Sequence, residues 1–229
     1  MRLYKYFSAT KWTVDSLKNS RFYFSKFNEL NDPCELTISD CTQEQLNLIR
    51  FKFCDPIEPN GIFCLSERND NLHMWTQYAD GHKGIVVEFE TDEDKEFFKE
   101  LDKVNYTETP PIYKKSMKVS DVIYSKSLDS EKELEWRVFG NNELRKINPS
   151  AIKSIIFGHR FPRACSVTTN PPDNLLSIYT EEKIEAFVEI DRLFWENIMT
   201  TTVDYYHTII THGAYQLTLS PKFQKPQRK

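Results

Sequence analysis

Glu133-Leu134-Glu135-Trp136-Arg137-Val138-Phe139 is the stretch on which the reading of this chain turns. Side chains alternate faces along an extended strand, so Glu133, Glu135 and Arg137 share one side while Leu134, Trp136 and Val138 take the other. The charged side is too polar to be core on this reading, and the segment is expected to be a half-buried strand with its ionic row displayed. Such a row either builds a site or solvates a sheet edge, because carboxylate and guanidinium two residues apart can satisfy each other at the surface.

The length of 229 residues suits one large domain. A single α+β domain over residues 1–220 is expected, followed by a basic tail, Pro221 to Lys229, of the composition usual for disordered ends. No apolar run approaches the roughly 18 to 20 residues that cross a bilayer, and Met1-Arg2-Leu3-Tyr4-Lys5-Tyr6 lacks the apolar core of a secretory signal. A cytoplasmic, reducing setting without membrane contact is therefore expected. Cys34, Cys41, Cys54, Cys64 and Cys165 are odd in number and form no Cys-x-x-Cys pair, which argues against a disulfide framework and a zinc knuckle. A net charge of −4 gives the whole surface no footprint for non-specific nucleic-acid binding.

Strands are predicted at Leu3 to Phe7, Arg21 to Ser25, Ile62 to Ser66, Gly84 to Glu90 with Ile85, Val87 and Phe89 inward, and Val104 to Tyr106. Helices are predicted from Val14 to Lys18 with Thr13 as cap, and after the capping box Thr42-Gln43-Glu44-Gln45. A third runs from an Asp70 cap through Leu72, Trp75, Tyr78 and Ala79 to Gly81, and a fourth follows Thr91 with Phe97, Phe98 and Leu101 buried. Residues 107–130 read as an irregular excursion containing one short helix. Pro149 is expected to begin a helix through Ile152, Ile155 and Ile156, and Arg160 to Asn174 reads as loop. Ile184 to Ile190 and Tyr215 to Leu219 are expected as closing strands. Short strands mixed with short helices predict an α+β fold with small mixed or antiparallel sheets.

Four blocks stand in order along the chain: Leu3-Tyr4-Lys5-Tyr6; Phe27-Asn28 with Asn31-Asp32-Pro33 and Glu35; Met74-Trp75 with Tyr78-Ala79 and Gly84; and Glu133-x-Glu135-x-Arg137. Together they resemble the bacterial family catalogued as domain of unknown function 2971 over most of residues 1–160. The family often has Trp and Tyr before the first Glu, where this chain has Ser130-Glu131-Lys132. In its order of elements the chain is also similar to a compact ADP-ribosyltransferase fold. That likeness implies NAD as a substrate, with Lys5 or Tyr6 on the adenosine side, Tyr23, Ser25 or Ser66 on the second strand, and Glu133 or Glu135 on the last.

Breaking a nicotinamide–ribose bond builds positive charge on the ribose, which a fixed carboxylate stabilises. On the resemblance Glu135 takes that role, Glu133 positions the acceptor, and Arg137 holds Glu135 ionised or contacts a phosphate. Asn28, Asn31 and Asp32 would bind ribose or amide groups, and Trp75 or Tyr78 would stack on a base. Each has a plainer reading: Asn31-Asp32-Pro33 as a rigid turn, Lys5 as surface decoration of a strand, Trp75 as helix packing. His73, His82, His159, His207 and His212 form no ligand-spaced pair, so no metal is expected. The expected function is an NAD-using ADP-ribosyltransferase-like enzyme, a toxin or anti-phage defence effector acting on nucleic acid or protein. The alternatives are a non-catalytic module that binds nucleotide, nucleic acid or protein, and a nuclease in which Glu133, Glu135 and Asp32 converge on Mg²⁺.

Overall fold

The structure, a computed structural model, describes residues 1–32, 34–53, 60–141, 143–162, 179–196, 203–211 and 216–220. Pro33, Cys54 to Pro59, Cys165, His212, the rest of the expected loop to Asn174 and the tail from Pro221 lie outside them. In chain order the first elements are β1 (Arg2–Phe7), α1 (Lys11–Asn19), β2 (Arg21–Tyr23), α2 (Gln43–Phe53), β3 (Asn60–Ser66), α3 (Leu72–Tyr78) and β4 (Ile85–Glu90). Then come β5 (Leu101–Lys103), β6 (Asn105–Thr107), α4 (Ser120–Ile123), β7 (Ser125–Ser127), β8 (Glu135–Asn141) and β9 (Leu144–Lys146). The last are β10 (Ile152–Phe157), α5 (Glu181–Glu196), β11 (Asp204–Ile210) and β12 (Leu217–Leu219). The chain is therefore α+β, with a mixed multi-stranded sheet and short helices, and it divides into two compact units.

Unit 1 comprises Met1–Arg21, Arg68–Asp94 and Lys146–Lys229. Its strands run in the order β12-β11-β10-β4-β1. β4 is antiparallel to both β1 and β10, β10 is parallel to β11, and β12 returns antiparallel. A parallel neighbour needs a crossover, and α5 lies in the one between β10 and β11. α5 also faces α1, where Lys18 Nζ meets Glu189 at 2.6 Å and Lys11 meets Glu182 at 3.1 Å. On β4 not only Ile85, Val87 and Phe89 but also Val86 and Glu88 are buried, as in a strand covered on both faces. Glu88 is satisfied by Arg2 at 2.9 Å and Ser154 Oγ at 2.5 Å.

Several local expectations change here. α1 is capped by Thr10, not Thr13: the Thr10 hydroxyl accepts from Thr13 N, and the buried Thr13 hydroxyl donates to Ser8 O at 2.7 Å. Asn71, not Asp70, caps α3, because Arg68 holds Asp70 in a two-bond pair. Pro149 opens only one 3-10 turn before β10, where Ile152, Ile155 and Ile156 sit in a strand. Ile184 to Ile190 is helical; Ile184, Phe187 and Ile190 recur at helical spacing and are buried.

Unit 2 comprises Phe22–Glu67 and Lys95–Arg145. Here β8 lies between β3 and β5, antiparallel to both, with Ser66 opposite Glu135 and Asp102 opposite Arg137. The expected capping box forms: Gln45 N donates to Thr42 Oγ1 at 3.2 Å, and Thr42 N donates to Gln45 Oε1 at 2.8 Å. The expected helix after Thr91 does not; a 3-10 turn gives way to turns, and Leu101 begins β5. Phe97 is still buried, edge-on to Phe24 and Phe63 at 5.4 and 5.3 Å between ring centres. A second core gathers Phe27, Leu36, Ile38, Ile62, Val122 and Ile123.

Candidate functional site

The deciding stretch is not one continuous strand. Leu128–Glu133 coils into a 3-10 turn, Leu134 takes a left-handed backbone (φ 49°), and β8 begins at Glu135. The carboxylates of Glu133 and Glu135 nevertheless meet, because the turn folds the first back onto a shared cation, Lys126 of β7. Its ammonium lies 2.7 Å from Glu133 Oε2, 3.2 Å from Glu135 Oε2 and 3.6 Å from Glu35 Oε1.

Arg137 completes the cluster. Its Nε donates to Glu135 Oε1 at 2.8 Å and Nη2 to Glu135 Oε2 at 3.0 Å. The outer edge of the guanidinium faces Glu35, with Nη2 to Oε1 at 2.5 Å and Nη1 to Oε2 at 3.0 Å. The remaining Nη1 hydrogen goes to Ile123 O at 2.6 Å, so each of the five donors has an acceptor. Tyr106 Oη accepts from Glu135 N at 2.8 Å, and Ser66 Oγ donates to Glu133 O at 2.7 Å.

The charged row is thus the buried one, contrary to the expectation that it would be displayed. Arg137 is 1 % exposed, Glu135 4 %, Glu133 6 % and Lys126 8 %. The reason lies outside the stretch: Lys126 neutralises the net charge of Glu133, Glu135 and Arg137, and Glu35 supplies acceptors for the outer edge of Arg137, so that a flanked strand can turn its polar face inward. Trp136, on the other face, is half-buried and donates from Nε1 to Glu67 Oε1 at 2.9 Å. Burial alone would raise the Glu135 carboxyl, but Arg137 and Lys126 outweigh it and bring the pKa down to about 2. Burial would likewise lower the Lys126 ammonium, and Glu135 and Glu133 outweigh it, holding the amine protonated far above its ordinary range.

Lys126 also borders a cavity of about 220 Å³, whose walls include Cys34, Thr37, Thr107, Ser125 and Ser127. Thr107, Pro111 and Ser125 are shared with a second cavity of about 460 Å³, lined further by Asp102, Asn105, Asp121 and Tyr124. Tyr124 is pinned by donation to Glu100 O at 2.6 Å, and burial pushes its phenol up to about 12.

The other expected site residues are distributed as follows. Ser66 is fully buried at the cluster, and Asp32 caps the turn leading to Glu35 by accepting from Cys34 N at 2.8 Å. Asn28 and Asn31 are exposed on the same segment. Tyr23 donates to Glu29 at 3.0 Å, and Ser25 exchanges two backbone bonds of 2.9 Å with Ile62. Lys5, Tyr6, Trp75 and Tyr78 belong to unit 1. There the Lys5 ammonium lies over the Phe7 ring at 5.6 Å, and Tyr6 donates to Arg68 O at 2.8 Å. Trp75 is fully buried, edge-on to Tyr6, stacked on His82 and donating to Asn69 O at 2.6 Å, while Tyr78 packs half-buried against it. The third carboxylate around Glu133 and Glu135 is Glu35 rather than Asp32, and an ammonium, not a cation-sized gap, stands at their centre. Sequence reasoning missed Lys126, which nothing in Ser125-Lys126-Ser127 sets apart from other lysines. Glu35 carried a signal only as a member of a block.

Residues 74–188 match the family model described as Protein of unknown function (DUF2971). The chain belongs to this family. The matched region starts at the Met74-Trp75 block and contains Lys126, Glu133, Glu135 and Arg137; the Leu3 and Phe27 blocks, with Glu35, precede it. No curated protein and no solved structure matches the chain. Within this family member, the motif Glu-x-Glu-x-Arg is a buried ionic network whose closing members come from β7 and from the loop after the Phe27–Glu29 turn.

Proposed function

We propose that this protein is an NAD-using enzyme of the ADP-ribosyltransferase kind, with its chemical centre at the Glu133, Glu135 and Lys126 cluster of unit 2. The observation that carries the reading is that two buried carboxylates, Glu133 and Glu135, converge on Lys126 beside a cavity that reaches this ammonium. A fixed carboxylate in a low-dielectric setting favours a transition state that gains positive charge, as a ribosyl group does when nicotinamide leaves. Glu135 is held ionised by Arg137, and Glu133 shares Lys126 with it. On this reading Glu135 sets the field and Glu133 is the carboxylate that orients the acceptor.

The acceptor is a nucleic-acid or protein group, and a toxin or phage-defence role would follow from which one is modified. A second reading, a binding module without turnover, is favoured by one specific feature: both oxygens of Glu135 already accept bonds from Arg137 or Lys126. Incubation with labelled NAD, alone and with cell lysate, separates the two. The native chain is expected to release nicotinamide and to label an acceptor, and Glu133→Gln and Glu135→Gln are expected to lose both. Binding of NAD without release by the native chain would replace the enzyme reading with the module.

A further inference from the structure

We infer that Glu35 is a displaceable occupant of an oxyanion site: the outer edge of the Arg137 guanidinium, with the Lys126 ammonium beside it, takes a phosphoryl group of the ligand when the strap Cys34–Ile38 moves off. Charge points this way first. Glu133, Glu135, Lys126 and Arg137 sum to zero and lie within one stretch of chain, whereas Glu35 adds the single excess charge from a segment 102 residues earlier. The four thus form a complete, neutral setting with a two-donor edge, and a guanidinium edge presents the same parallel N–H pair to a phosphate as to a carboxylate.

Placement agrees. The strap carries no helix or strand, and its Cys34 and Thr37 line the cavity that also reaches Lys126, while Glu35, which with Leu36 lies between them in the chain, pairs with Arg137 and Lys126. Leu36 holds a left-handed backbone (φ 58°), an unfavourable conformation for a branched apolar residue that persists while Glu35 and the buried Leu36 and Ile38 side chains are seated. Departure of Glu35 alone would leave a buried guanidinium short of two acceptors, so the strap opens only as another oxyanion arrives. Ligand entry and strap release are then one coupled event, and the cavity widens as an oxyanion such as a phosphoryl group takes the place of the Glu35 carboxylate.

This inference rests on the network being the functional site, but not on cleavage of an N-glycosidic bond. The test uses inorganic pyrophosphate on the full chain, with hydrogen exchange read over residues 34–38 and affinity measured by calorimetry. Pyrophosphate is expected to speed exchange in the strap of the native protein. Glu35→Ala is expected to bind it about tenfold more tightly or better, and Glu35→Ala with Arg137→Met to lose that gain. Unchanged strap exchange in the native protein across a millimolar titration overturns the inference even where Glu35→Ala does not fold. Equal affinity in the single and double variants also overturns it, since the anion then binds elsewhere. Strap opening without nicotinamide release would retain the oxyanion site and remove the proposed chemistry; release with an unmoved strap would do the reverse.

Discussion

Arg137 and Glu35, 102 residues apart in the chain, face each other edge to edge, with Nη2 to Oε1 at 2.5 Å and Nη1 to Oε2 at 3.0 Å, both side chains almost wholly buried. Such a pair is a poor source of net stability, because desolvation of two ions offsets most of their attraction, yet breaking it from one side is costly. Arg137→Met should therefore destabilise the fold by about 3–5 kcal/mol. Glu35→Gln combined with Arg137→Met should cost less than the sum of the single changes, a coupling readable in denaturant unfolding.

Lys126→Met keeps volume while removing the cation between Glu35, Glu133 and Glu135. Near neutral pH it should lose about 3–5 kcal/mol, because the carboxylates then repel one another in a dry site. Repulsion raises carboxylate pKa values, so lowering the pH should protonate the cluster and return part of the loss. Unfolding free energies of native and variant chains, compared at neutral and mildly acidic pH, should converge; a gap that widens on acidification would contradict this account.

Glu135 has its pKa lowered from 4.5 to about 2. A depressed folded-state pKa contributes stability in full above the unfolded value, lost as pH falls through 4.5 towards 2. The native chain should thus lose stability in that window, and Glu135→Gln, already weakened at neutral pH, should show a flatter acid limb. Chemical denaturation repeated down the pH series measures both slopes.

His82 lies flat on Trp75, ring centres 6.0 Å apart, and its Nε2 is 3.3 Å from Thr76 Oγ1. Burial first, then the charges of Arg160 and His159, lowers its pKa below the ordinary 6.5. The sign is the same as for the carboxylate: its contribution is complete above pH 6.5 and declines as the ring is forced to protonate below it. His82→Phe should remove this mildly acidic step in thermal stability while leaving the plateau above it close to native.

Gly84 permits a close approach of two backbones. A Cβ there would meet Phe7 O at 2.0 Å and Ala79 O at 3.0 Å, and neither carbonyl is a flexible side-chain tip. Gly84→Ala should destabilise unit 1 by about 1–3 kcal/mol or more, whereas alanine at an open surface glycine would not. A melting temperature equal to the native value would show that β1 and the turn before β4 can move apart at no cost.

What the sequence determined by itself was local. The Thr42 and Gln45 capping box, the stop of α3 before Gly81 and the strands at Leu3, Ile62 and Ile85 each depend on contacts within a few residues or on simple alternation. Short apolar runs were not decidable in this way. Ile152 to Ile156 became strand because β4 and β11 bond it on both sides, and Ile184 to Ile190 became helix because its apolar residues pack at a 3.6 period beneath polar neighbours. The candidate site divides along the same line. Alternation brought Glu135 and Arg137 to one face of β8, but whether that face met water or core depended on counter-charges the stretch does not contain. Lys126 lies nine residues before Glu135, Glu35 a hundred, and only folding places their charges within 4 Å, which is what makes burial of the ionic row physically affordable.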